Sequence, residues 1–218
     1  MRKLFFVSLI LIAAGGAGRA DVFYDDLGSW EAAATSVTSV DFESAGVPPN
    51  SLSFIGMGAG ANYSAGGINF AVGSSSDGLL AVLGDNFYYP GVAVITTQGS
   101  STAVNDLLIT LPAPVTALGF TFGDFYGDTA TVTLSDGAVA YPTADALFIN
   151  PSLGFFGVTG STGITSLEIT TPDPVMNVRS VYTGASVAPE PAYLAEGGLL
   201  LALITGIALR RRLQETRN

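Results

Sequence analysis

The chain has 218 residues, with 18 acidic side chains against 8 basic ones and a formal net charge of −10. It contains no cysteine and no histidine, which excludes disulfides, zinc–thiolate sites, thiol nucleophiles and imidazole acid–base chemistry. Between residues 21 and 186, fifteen carboxylates face a single base, Arg179, so this stretch cannot hold nucleic acid electrostatically and should repel anionic polysaccharide unless divalent cations bridge the two.

Arg2 and Lys3 open the chain ahead of an apolar run over 4–14. Gly18 and Ala20 then put small residues at the −3 and −1 positions of a cut between Ala20 and Asp21. This pattern predicts a secretory signal helix over 1–20, removed by signal peptidase. Residues 21–186 are then one exported domain, long enough to bury about 70% of its unfolded surface.

Within that domain, SWEAAAT at 29–35 predicts one short helix, with Ser29 as its N-cap and Trp30 turned inward. Short strands are predicted over 37–42, 52–55, 67–72, 79–83, 92–96, 107–111, 115–122, 129–134, 139–141, 155–158, 164–170 and 175–182. In TATVTL, Ala130, Val132 and Leu134 share one face and the threonines the other. Phe120 and Phe122 share a face in the same way, as do Leu167 and Ile169. Asp77-Gly78 and Asp136-Gly137 are turn signals, 58–61 and 73–76 are loops, and Pro112 and Pro114 are predicted to break the chain into two successive strands. A dozen short strands at this spacing predict an all-β fold, an antiparallel β-sandwich of jelly-roll type with one short N-terminal helix. No fixed-period repeat suggests a solenoid or propeller.

Residues 187–218 carry three features in order. A Pro-Glu-Pro box stands at Pro189, Glu190 and Pro191; an apolar stretch over 192–209, interrupted by Glu196, follows; Arg210, Arg211 and Arg212 come next. As a helix, the stretch reaches roughly 27 Å, enough to span a hydrocarbon core, with the arginines on the cytoplasmic side and the body outside. This order resembles the PEP-CTERM sorting signal of exported bacterial proteins, the tail processed by exosortase. Segments of the body are similar to that group as well: the helix at 30–34, Asp41-Phe42-Glu43, Gly67-Ile68-Asn69-Phe70, and the stretches 114–124 and 155–169. The resemblance implies a transient inner-membrane intermediate held by the C-terminal transmembrane helix. It also implies cleavage near the box by an exosortase-type enzyme and delivery to the cell surface or extracellular matrix. Many such bodies resemble β-sandwich modules that bind carbohydrate, some with a structural calcium.

Among chemistry-bearing residues, carboxylate pairs come first, because glycosidases need two about 5–10 Å apart. Asp41 and Glu43 share a strand face, and Asp124 and Asp128 flank the loop GDFYGD. Neither pair has a basic partner to tune it, and solvated surface is the plain alternative. Calcium, which takes six to eight hard oxygens, is a better use for Asp41, Glu43, Asp124 and Asp128. A serine nucleophile has no histidine, no lysine within 21–186 and no G-x-S-x-G elbow to support it. Asn62-Tyr63-Ser64 fits a glycosylation sequon. In the loop Phe87-Tyr88-Tyr89-Pro90, Tyr88 and Tyr89 are candidates for stacking on sugar rings. These features predict an exported, non-enzymatic surface or extracellular-matrix protein, with a carbohydrate-binding module delivered by the same route as the alternative.

Overall fold

Apolar–polar alternation is the mark of a half-buried strand, and the computed structural model follows it through most of residues 21–186. The structure describes residues 21–73, 78–99, 105–124, 126–143, 145–146 and 153–187. The predicted signal segment with Ala20, the sorting box, the spanning stretch and the arginine cluster lie outside the described residues. Among the described residues, no helix is long and apolar enough to cross a membrane. The chain divides into two compact units, Met1–Ser186 and Val187–Asn218.

Among the described residues, the first unit is mostly antiparallel β-sheet with one α-helix. Its elements run β1 (Val22–Tyr24), α1 (Leu27–Ala33), β2 (Ala34–Asp41), β3 (Leu52–Met57), β4 (Asn62–Ala65), β5 (Ile68–Val72), β6 (Leu79–Leu83) and β7 (Val94–Gln98). Then come β8 (Asn105–Asp124), β9 (Thr131–Leu134), β10 (Val139–Ala140), β11 (Asp145–Ala146), β12 (Gly154–Thr171) and β13 (Val175–Ser186). Pairing is antiparallel except for β11, which lies parallel to β8.

Two strands organise the rest. The sequence predicts separate strands at 107–111 and 115–122, and again at 155–158 and 164–170. Instead β8 and β12 each run through, pairing along most of their length. The ladder breaks where Thr110–Ser166 gives way to Val115–Ile164. Pro112 and Pro114 sit in that gap, where their missing N–H groups cost no ladder bond. The prolines bend the strand rather than end it. Across the bend the buried side chains switch parity, from Leu107, Ile109 and Leu111 to Leu118, Phe120 and Phe122.

The first arm of β8 pairs with β5 and with the end of β12, which also holds β9. The second arm pairs with the start of β12 and with β13. Both arms feed one core. Phe70, Ile109, Val132 and Leu167 come from the first; Ile95, Phe120, Val158 and Val178 come from the second. The expected alternation in TATVTL is present, with Ala130, Val132 and Leu134 buried. β13 is held on both sides, by β8 along one edge and by β7 and then β2 along the other.

The helix covers the outer face of the second arm. It begins two residues earlier than predicted, because Asp26 rather than Ser29 is the N-cap: the Asp26 carboxylate accepts from the Ser29 N–H at 2.8 Å. Trp30 is fully buried and its indole N–H donates to the Val158 carbonyl at 3.1 Å. It packs with the rings of Phe155 and Tyr182, each centroid 6.0 Å away. The strand beneath it must lack a side chain, since a Cβ on Gly157 would lie 2.5 Å from Trp30 Cδ1.

Candidate functional site

Of the four carboxylates predicted as calcium ligands, the fold brings two together and adds a third. Asp124 ends β8, Asp128 lies in the following loop, and Asp173 sits in the turn between β12 and β13. One oxygen from each falls within 4.8 Å of the others. Asp173 arrives through topology, because β13 returns beside β8 with Met176 opposite Asp124. Nothing in the sequence links it to residues nearly fifty positions away; Pro172-Asp173-Pro174 reads only as a turn. Asp41 and Glu43 stay out of this group. Asp41 pairs with Ser180, four residues further along β13, roughly 13 Å from Met176 at strand spacing.

Two of the three carboxylates are already engaged by backbone amides. Asp124 accepts from the Gly127 N–H and, at 3.0 Å, from the Asp128 N–H. Asp173 accepts from the Tyr126 N–H at 3.0 Å and the Val175 N–H at 2.9 Å. Asp124 and Asp173 are both 1% exposed. Burial pushes the Asp124 carboxyl up to about 6, with the charges of Asp173 and Asp128 acting in the same sense and the Gly127 and Asp128 amides opposing. Each oxygen keeps a lone pair, and an all-oxygen, all-anionic donor set suits a hard divalent cation. Glu43 is a separate case. Burial first, then the hydrogen bond and charge of Asp41, raise its carboxyl, while Arg179 acts against them.

The tyrosine loop is less open than its sequence suggests. Tyr89 is 2% exposed, packed with Leu83 and Val94, and its hydroxyl meets the Asn177 amide at 3.4 Å. Its ring therefore presents no face to a sugar. Tyr88 is half-buried and its ring stands edge-on to Phe87, centroids 4.9 Å apart.

Open aromatic surface lies elsewhere. A solvent-open groove of about 650 Å³ runs between β1 and the segment from β10 to Thr143, within the usual range for a ligand site. Phe23, Tyr24 and Asp25 form one wall, Val139 to Thr143 the other, and Gly154, Phe155 and Phe156 line it further. Tyr141 is 69% exposed and Phe23 42%, the latter with its ring 5.8 Å from Phe156. The second wall is fixed in place. The Ala130 N–H donates to the Pro142 carbonyl at 2.8 Å, and Thr143 bridges to Thr129. Among the described residues, Asp25 is the one carboxylate in the lining, and no base joins it. Sequence reasoning misses this groove, because its walls come from residues more than a hundred positions apart.

No protein-family model and no curated protein matches the chain. Some solved structures are similar at low identity. A variant of a family 29 carbohydrate-binding module, solved with mannohexaose, is 7% identical, with 64% of this chain and 98% of that one covered and a TM-score of 0.38. A second variant of that module is 9% identical over 64% and 99%, with a TM-score of 0.36. A further family 29 module is 6% identical over 64% and 94%, with a TM-score of 0.32.

Proposed function

We propose that this chain is an exported, non-enzymatic surface protein whose body binds carbohydrate. The observation that carries the reading is the groove beside β1: aromatic rings with open faces line it, together with a single carboxylate. Stacked rings hold the apolar face of a sugar. Hydrolysis needs two carboxylates across the substrate, and among the described residues the groove lining supplies one. On this reading the two arms of β8 and β12 belong to the two layers of a jelly-roll-like sandwich, and the groove opens along its side. Calcium, bound by Asp124, Asp128 and Asp173, would fix the loop after β8 without taking part in binding.

The test is retention of the full chain, in mild detergent, on a panel of immobilised polysaccharides. Tyr141→Ala should weaken binding about five- to tenfold, the scale of one aromatic stack. Undiminished binding by the variant would reject the groove as the site.

The route to the surface rests on the termini. The segment 1–20 directs export, and Pro189, Glu190 and Pro191 with the apolar stretch and Arg210–Arg212 form a sorting tail of PEP-CTERM type. Replacing the three box residues with alanine should leave an uncut, membrane-bound form in cell fractions. Normal processing of that variant counts against a sorting role.

A further inference from the structure

The groove carries its charge on one side only. Asp25 is exposed in its wall, and no hydrogen bond within the protein engages its carboxylate among the described residues. Its neighbours in sequence add to the charge: Asp21 and Asp26 lie within five positions, in the segment DVFYDD. Asp26 is committed to capping α1, which leaves Asp25 as the acceptor that faces the groove. Among the described residues, no positive charge lines the groove. Arg179 is the one base in residues 21–186, and its charge bears on Glu43 instead.

Two consequences follow from ordinary electrostatics. An ionised carboxylate accepts hydroxyl hydrogens in short, charge-assisted bonds, and its two oxygens can take two neighbouring hydroxyls of one sugar ring. The same charge opposes any uronate or sulfate brought within a few ångströms, less so as salt rises. The groove is open to solvent rather than enclosed, so it does not confine a ligand to a single sugar.

We propose that the groove selects uncharged polysaccharide chains and that Asp25 sets this selectivity, accepting hydroxyls and turning away acidic sugars. The inference rests on the carbohydrate-binding reading and adds to it the ligand class and the selecting residue.

Affinity electrophoresis of the full chain in mild detergent tests it, with gels containing neutral polymers (mixed-linkage β-glucan, galactomannan, arabinoxylan) or acidic ones (alginate, polygalacturonate). The wild-type chain should be retarded by at least one neutral polymer and by neither acidic one. Asp25→Ala should weaken the neutral interaction about five- to tenfold. Asp25→Asn, which keeps an acceptor and removes the charge, should retain most neutral binding and gain measurable retardation by alginate over the wild type at moderate salt, where the remaining net negative charge of the domain is screened. Both variants change an exposed residue, and an unshifted melting curve checks that they fold. Alginate binding by the wild type as tight as its neutral binding would overturn the proposal. So would neutral and acidic affinities that do not move in either Asp25 variant, even while Tyr141→Ala still weakens binding. That pattern would leave carbohydrate binding standing and remove Asp25 alone. Retardation by no polymer, in wild type or variant, would overturn both readings together.

Discussion

The acidic corner at Asp124 and the aromatic groove at Phe23 and Tyr141 are both built where strands end, yet they use their polar groups in opposite ways. In the corner, the carboxylates of Asp124 and Asp173 each accept two backbone N–H groups and are almost wholly buried. Their first task is to hold the loop after β8 and the turn before β13. In the groove, Asp25 and the rings of Phe23 and Tyr141 are exposed. A cluster of carboxylates stands out in the sequence ahead of scattered aromatics, whereas in the fold it is the aromatics that stay exposed. Groups whose partners lie within the chain shape it; groups left open can meet something else.

The largest expected effect comes from undercutting the groove while sparing the corner. Phe155 lines the groove and rests on Trp30 from below. Trp30→Ala should cost about 3–5 kcal/mol in urea unfolding, as large-to-small changes in a closed core do, and should weaken polysaccharide binding as well. A stable variant with intact binding would show that the helix does not support the groove.

A smaller effect separates the corner from the groove through pH. The folded state holds the Asp124 proton more tightly than the unfolded chain, with its pKa raised from 3.8 to about 6. The stabilisation is therefore full below about pH 4 and is lost as pH rises through about 6. Glu43 and Asp21, also raised chiefly by burial, act in the same sense, and Asp26, lowered by its bonds to Ser29, acts in the opposite one. Asp124→Asn should flatten the fall in melting temperature across that window. Added calcium should raise the wild-type melting temperature near neutral pH and do nothing for the variant. An equal pH slope in both proteins would show that Asp124 ionises as an ordinary surface carboxylate. The smallest effect is on stability in Tyr141→Ala, within about 0.5 kcal/mol of wild type even as binding falls, because that ring is exposed.

Much of the fold is legible in the sequence because it is local. Period-2 alternation marks most strands, and it places Val132, Phe120 and Ile169 in the core correctly. The errors have physical causes. Proline at 112 and 114 reads as a stop, yet a strand passing from one set of partners to another has a place where no ladder bond is needed. The three-residue β1 and the two-residue β11 are too short for any periodicity; each exists only through its pairing with β12 or β8. The same holds for the sites. Asp124 and Asp128 are close in sequence and stand out there, whereas Asp173 and the facing walls of the groove meet only by long-range pairing. Tyr89 misleads because an aromatic-rich loop looks alike whether its rings point outward or down.

The placement of β13 has a mechanical meaning. It is the last strand before residue 187, and it is clamped by neighbours along both edges. A pull entering the domain from its C-terminal side would load those ladders lengthwise, so many hydrogen bonds must fail at once. Had the chain left from an outermost strand, one ladder rather than two would carry the load. A domain tethered by its tail in flowing surroundings would gain toughness from this exit.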